Sequence, residues 1–151
     1  MSNFPVTWIV VADAGRSRML SWTSAKGDLI ELEDSVNPEA RLPDAALTSD
    51  RSGSGTDAAG HGRHSMGHEH SAKQQQSEAF ARTVAQRLLA GLNEHEYERL
   101  VLIAPPEFLG LLRATLDDQV CKCVAEVIGL DLTKASAREI RKRLPPPAAL
   151  A

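Results

Sequence analysis

The sequence predicts a mixed α/β fold in which a five-stranded sheet carries helices on its faces. Three observations lead there. Val6 to Ala12 (VTWIVVA) is a near-continuous apolar, β-branched run, as a strand buried on both faces requires. Two further strand-like runs follow it across short turns, the pattern of an antiparallel meander. Beyond about residue 70, helical periodicity alternates with apolar runs, as in strand–helix–strand crossovers.

The first run ends at Asp13-Ala14-Gly15, a turn signal. Arg16 to Trp22 (RSRMLSW) reads as strand two, Ser24 to Gly27 as a turn, and Asp28 to Asp34 (DLIELED) as strand three. Composition then changes abruptly. Residues 35–76 hold five of the ten glycines, no aromatic residue, and only Val36, Leu42, Leu47 and Met66 as large apolar residues. That is too little apolar surface to order a core. The segment therefore reads as a flexible insertion after strand three, and residues 40–71 are expected to be poorly ordered.

A helix is expected to start at the capping box Ser71-x-x-Gln74, or at Ser77. Phe80, Val84, Leu88 and Leu92 recur every four residues along it, giving an amphipathic helix. Arg99 to Ala104 (RLVLIA) reads as a buried fourth strand. Pro105 and Pro106 then open a helix, where a missing N–H costs little, and Phe108, Leu109, Leu112 and Leu116 face the core. Val120 to Ile128 alternates as strand five, with Cys121, Cys123, Ala125 and Val127 on one face. Thr133, or the box Ser136-x-x-Glu139, caps a last helix ending at Leu144, and Pro145 to Pro147 stop it. The order β-β-β-α-β-α-β-α gives an antiparallel half-sheet and a parallel half-sheet joined by crossovers, the ribonuclease-H-like arrangement. Residues 1–144 form a single domain and 145–151 a Pro/Ala tail.

Charge and composition narrow the function. The 151 residues carry 17 Lys+Arg against 20 Asp+Glu, a net charge of −3, so polyanion binding must come from a local patch. Aromatic residues at 4% are too few for a platform of stacked bases. No apolar run approaches a membrane span, no signal-peptide pattern opens the chain, and two cysteines one residue apart cannot staple a fold. A cytoplasmic, reduced protein without membrane association is expected.

Asp13, at the end of strand one, invites comparison with a two-metal nuclease, which needs further carboxylates on helix one and after strand four. Helix one offers Glu78, and strand four runs into Ala104-Pro105-Pro106 with none. Asp13 then reads as a turn residue. His61, His64, His68 and His70 crowd into HGRHSMGHEH, spacings that can chelate zinc, nickel or copper weakly, though a structural zinc site needs four fixed ligands. Cys121 and Cys123 read as small buried hydrophobes rather than metal or redox groups. Lys134, Arg138, Arg141, Lys142 and Arg143 make the last helix basic, which suits phosphate contacts and equally suits the helix dipole. No nucleophile–base pair and no phosphate loop is visible, and no cofactor is expected.

Several blocks, taken in order, resemble the bacterial family of host attachment proteins, proteins required for attachment to host cells. They are Val11-Ala12-Asp13-Ala14-Gly15-Arg16-Ser17-Arg18, Leu47-Thr48-Ser49-Asp50-Arg51-Ser52-Gly53, Phe80-Ala81, Leu100 to Pro106, Leu109 to Arg113, Asp131-Leu132-Thr133-Lys134 and Glu139-Ile140. That family in turn resembles bacterial relatives of the middle domain of archaeo-eukaryotic release factors, in which a loop bearing a GGQ triplet precedes a long helix. Here the corresponding stretch reads His61-Gly62-Arg63-His64, without the triplet. With the triplet absent and the two-metal carboxylates incomplete, a non-enzymatic protein is expected; the element order, the Gly/His/Arg insertion and the basic last helix, set beside the resemblance, lead to binding of RNA or a ribosomal component, with an indirect role in attachment. Arg51, His61, Arg63, His64, Lys134, Arg138, Arg141 and Lys142 are the expected contacts. A protein–protein interaction module is the alternative, and a metal-dependent nuclease a third reading.

Overall fold

The computed structural model describes residues 4–38 and 58–150, with side chains described from residue 72 onward in the second stretch. Five strands form one mixed sheet: β1 (Thr7–Ala12), β2 (Arg16–Trp22), β3 (Ile30–Val36), β4 (Arg99–Ile103) and β5 (Val124–Ile128). The helices are α1 (Ala58–Asn93), α2 (Pro106–Thr115), α3 (Asp118–Cys121) and α4 (Ala137–Arg143), followed by a 3₁₀ turn at Pro147–Leu150. The sheet order is β3-β2-β1-β4-β5. β1 pairs antiparallel with β2 and parallel with β4, and β4 pairs parallel with β5.

The two-sided burial of β1 follows from its uninterrupted apolar run. Trp8, Val10 and Ala12 face one core together with Met19, Leu100 and Leu102, under Phe80, Val84 and Leu88 of α1 and Phe108 and Leu112 of α2. Ile9 and Val11 face the other with Leu20, Trp22, Val101 and Ile103, under Leu29, Ile140 and Leu150. The helix periodicity thus places its four-residue stripe on the sheet as expected, with Leu92 only partly buried.

Five expectations are corrected. The long helix starts at Ala58, not at Ser71 or Ser77. Once a packed segment nucleates a helix, each added residue gains a hydrogen bond, and no proline stands between Pro43 and Pro105 to stop it. The insertion 35–76 is accordingly shorter, because β3 runs to Val36, Asn37 is buried, and the helix occupies residues from Ala58; residues 39–57 lie outside the described ones. Strand five begins at Val124, because Asp117 caps the short helix α3, its side chain accepting from Gln119 N. Cys121 therefore lies on that helix and is exposed, and Cys123 precedes the strand, half-buried, so the pair does not share a strand face. Finally, the Pro/Ala tail extends the domain: Leu150 is buried and its carbonyl accepts from Arg99 Nε at 3.2 Å. Strand three itself sits two residues later than the Asp28–Asp34 expected.

Candidate functional site

The C-terminal ends of the parallel strands in an open α/β sheet are where ligands usually bind. Here that end is built around the β1–β2 turn. Asp13 Oδ1 accepts from Gly15 N at 2.7 Å and Arg16 N at 2.9 Å, an Asx turn that reverses the chain. Asn37, at the end of β3, donates from its backbone N to Gly15 O and from Nδ2 to Ala14 O, both at 2.9 Å. The turn is held from both sides.

Arg18 joins this turn to the loop that follows β5. Its side chain is nearly buried, and its guanidinium forks onto Glu31 of β3 through Nε (3.0 Å) and Nη2 (2.8 Å). Its Nη1 donates to the carbonyls of Thr133 (3.0 Å) and Ala135 (2.6 Å) and approaches that of Leu132 (3.4 Å). The paired Glu31 carboxylate keeps Arg18 firmly charged despite the cost of burial. Thr133, buried, donates its hydroxyl to Asp131 Oδ1 at 2.7 Å and sits 3.3 Å from Asp13 Oδ2. Burial works to raise the Asp131 carboxyl. The Thr133 hydroxyl and N–H, hydrogen bonding with Asp13, and Lys134 outweigh it and hold Asp131 below the usual range. The result is two carboxylates facing one threonine hydroxyl, with an arginine that orders the loop carrying Asp131 and Thr133. Among the described residues no group of three or more His, Cys, Asp or Glu is placed to hold a metal ion.

From the same loop the chain enters α4. Ser136 and Glu139 form the expected capping box, at 3.1 Å for Glu139 N to Ser136 Oγ and 2.9 Å for Ser136 N to Glu139 Oε1. Ile140 is fully buried against the sheet, so the helix turns its other faces outward. Lys134, Arg138, Lys142 and Arg143 are exposed there, and none forms an ion pair with a described acid. Arg141 turns inward instead. Its guanidinium lies 4.4 Å over the Trp22 ring and donates to Ala25 O at 2.7 Å, fastening α4 to the β2–β3 turn.

The residues expected to act divide clearly. Lys134, Arg138 and Lys142 are exposed, the first on the loop leading into α4 and the other two on α4 itself, while Arg141 is half-buried and structural in its contacts. Arg51 lies outside the described residues. His61, Arg63, His64, His68 and His70 fall on the backbone of α1, with their side chains outside the description. Asp13 is the turn residue its sequence context suggests, and Glu78 contacts Gln74 on its own helix at 3.3 Å. Sequence reasoning did not single out Arg18, Glu31, Asp131 or Thr133 as a cluster. The signal was present in the two blocks Asp13 to Arg18 and Asp131 to Lys134, but they lie more than a hundred residues apart in the chain.

Among the described residues no helix is long and apolar enough to cross a membrane. No curated protein matches the chain. A family model described as "Protein required for attachment to host cells" matches residues 8–144, which takes in every strand except the first residue of β1, all four helices, the Asp13 turn and the Arg18–Thr133 junction. The chain belongs to the family of proteins required for attachment to host cells.

Proposed function

We propose that this member of the family is a non-enzymatic, cytoplasmic protein that binds RNA or a ribosomal component through α4 and the loop leading into it. The observation that carries this reading is the exposure of Lys134, Arg138, Lys142 and Arg143, none within ion-pair distance of an acid among the described residues, on a chain whose net charge is −3. Ile140, the capping box and Arg141 fix that helix on the sheet, so the cations form a preset array rather than a loose tail. Arg51, His61, Arg63 and His64 are further contacts in this reading. The strand order suits a ribonuclease-H-like arrangement, and a kinship with the release-factor middle domain, which this reading adopts from the sequence resemblance, would imply the same class of partner. Asp13 holds a turn in this reading and performs no hydrolysis, and the attachment role is indirect.

Phosphate contacts displace counterions, so binding should weaken steeply with salt. Cosedimentation of the protein with ribosomes or total RNA is expected at low salt. Replacing Lys134, Arg138, Lys142 and Arg143 together by Ala should abolish it while changing stability little, since exposed substitutions usually shift stability by about 0.5 kcal/mol or less. Absence from ribosomal and RNA fractions at low salt overturns the proposal. A second reading, a protein–protein interaction module, is favoured by edge strand β3, where Ile30, Leu32 and Val36 are all exposed. Partners that survive nuclease treatment in a pull-down would support that reading instead.

A further inference from the structure

On the opposite layer from α4, a groove of ≈420 Å³ opens between the second half of α2, α3 and the start of edge strand β5. That volume lies within the ~300–1,000 Å³ typical of small-molecule sites. Leu116 and Val124 give it an apolar floor continuous with the core, and Gly110 and Ala114 form a bare helical wall. Two features of the wall make no contact among the described residues. Gly110 stands in the middle of α2, where glycine is disfavoured, yet a Cβ built on it would meet nothing within 4 Å. Arg113 is the only charged lining residue, and among the described residues its guanidinium has no carboxylate or carbonyl partner.

We infer that this groove binds a small aliphatic carboxylate, with its chain over Leu116 and Val124 and its head on Arg113. The charge decides the head group, because a free guanidinium presents a fork matched to a carboxylate. The lining decides the body, since apart from Arg113 the groove offers only aliphatic side chains, a bare glycine and one thiol. The missing Cβ of Gly110 leaves the width that such a chain needs. The site involves none of the α4 residues, so it stands or falls separately from nucleic-acid binding.

Cys121 lines the groove and is exposed, which makes its thiol a reporter of occupancy. The test uses the full-length chain with Cys123→Ser, so that one thiol reacts, and measures the rate of alkylation by N-ethylmaleimide. Octanoate should slow it several-fold and saturably. Acetate, which has the head without the body, and octanol, which has the body without the head, should not. Arg113→Gln and Gly110→Leu should each lose the protection while keeping the far-ultraviolet circular dichroism spectrum and a melting temperature no lower than the parent's. Equilibrium dialysis with labelled octanoate provides the second readout. Protection by octanol equal to that by octanoate, protection retained in Arg113→Gln, or no saturable binding in dialysis each overturns the assignment.

Discussion

Gly91 shows how a single missing carbon sets the packing of the longest helix. It lies near the end of α1 against Trp8, and an added Cβ would come within 2.9 Å of the Trp8 ring atoms Cζ3 and Cη2 and 3.2 Å of Tyr97 Cε1. The Trp8 ring has no room to retreat. It is buried, packed at a tilt against Tyr97 with centroids 4.8 Å apart, and covered by the Arg87 guanidinium at 5.0 Å. Tyr97 is itself fixed, its hydroxyl donating to Leu88 O. Gly91→Ala would gain about 1 kcal/mol of helix propensity. Overpacking a tight core costs roughly 1–3 kcal/mol, so a net loss of about 1 kcal/mol is expected in urea unfolding. Gly110→Ala is the matched control. With nothing within 4 Å of its Cβ, it should stabilise by about 0.5–1 kcal/mol. Two glycines in helices, opposite signs, and the difference lies in what the Cβ meets.

At the scale of elements, the junction of the β1–β2 turn with the loop after β5 is held by groups that only the fold brings together. Thr133 supplies the hydroxyl that stands between the Asp13 and Asp131 carboxylates. Thr133→Val keeps the shape and removes that hydroxyl, leaving Asp131 one donor short; a loss of about 1 kcal/mol is expected near neutral pH. The pH dependence follows from the direction of the Asp131 shift. A carboxyl held below its ordinary range contributes stability that is present above its unfolded pKa of about 4. That contribution is lost as pH falls through the lower folded value. The gap between the parent and Thr133→Val should therefore close in acid, as urea titrations at pH 7 and pH 3 would show. A gap that stayed constant would mean that Thr133 acts through packing alone. Elements with local signals were legible in the sequence: the β1 run, the Phe80–Leu88 stripe, the proline start of α2 and the Ser136–Glu139 box all appear where periodicity and capping place them. What was not legible depends on distance or on competing local signals. Arg18 reads as one residue of a strand until Thr133 and Ala135 arrive from the far end of the chain. The alternation at Val120–Ile128 imitates a strand, and the Asp117 cap overrides it for the first turn.

At the scale of the whole molecule, the described residues cover the two faces of the sheet unequally. Three helices lie over the face that holds Trp8, whereas the face that holds Trp22 is closed by Leu29, the short α4 and the 3₁₀ turn ending in Leu150. Small changes should accordingly matter more on the second face. Leu150 is 1% exposed, and the Arg99 guanidinium anchors its carbonyl from the start of β4. Leu150→Ala should cost about 2–5 kcal/mol, the range for a buried leucine whose site cannot collapse. Removing residues 145–151 should cost at least as much, because it also uncovers apolar side chains packed around Trp22. The two tryptophans make this measurable face by face, one lying in each core. With Trp8→Phe, the emission reports Trp22 alone, and truncation should shift it to longer wavelength as water reaches the ring. With Trp22→Phe, the emission reports Trp8 beneath α1 and should stay unshifted under native conditions. A truncated chain with full stability and an unshifted Trp22 would show that Leu29 and α4 close the second face unaided. Because α4 also carries the exposed cations, the proposed RNA binding, if it runs through them, should weaken in cosedimentation when truncation loosens that face without removing any of those charges.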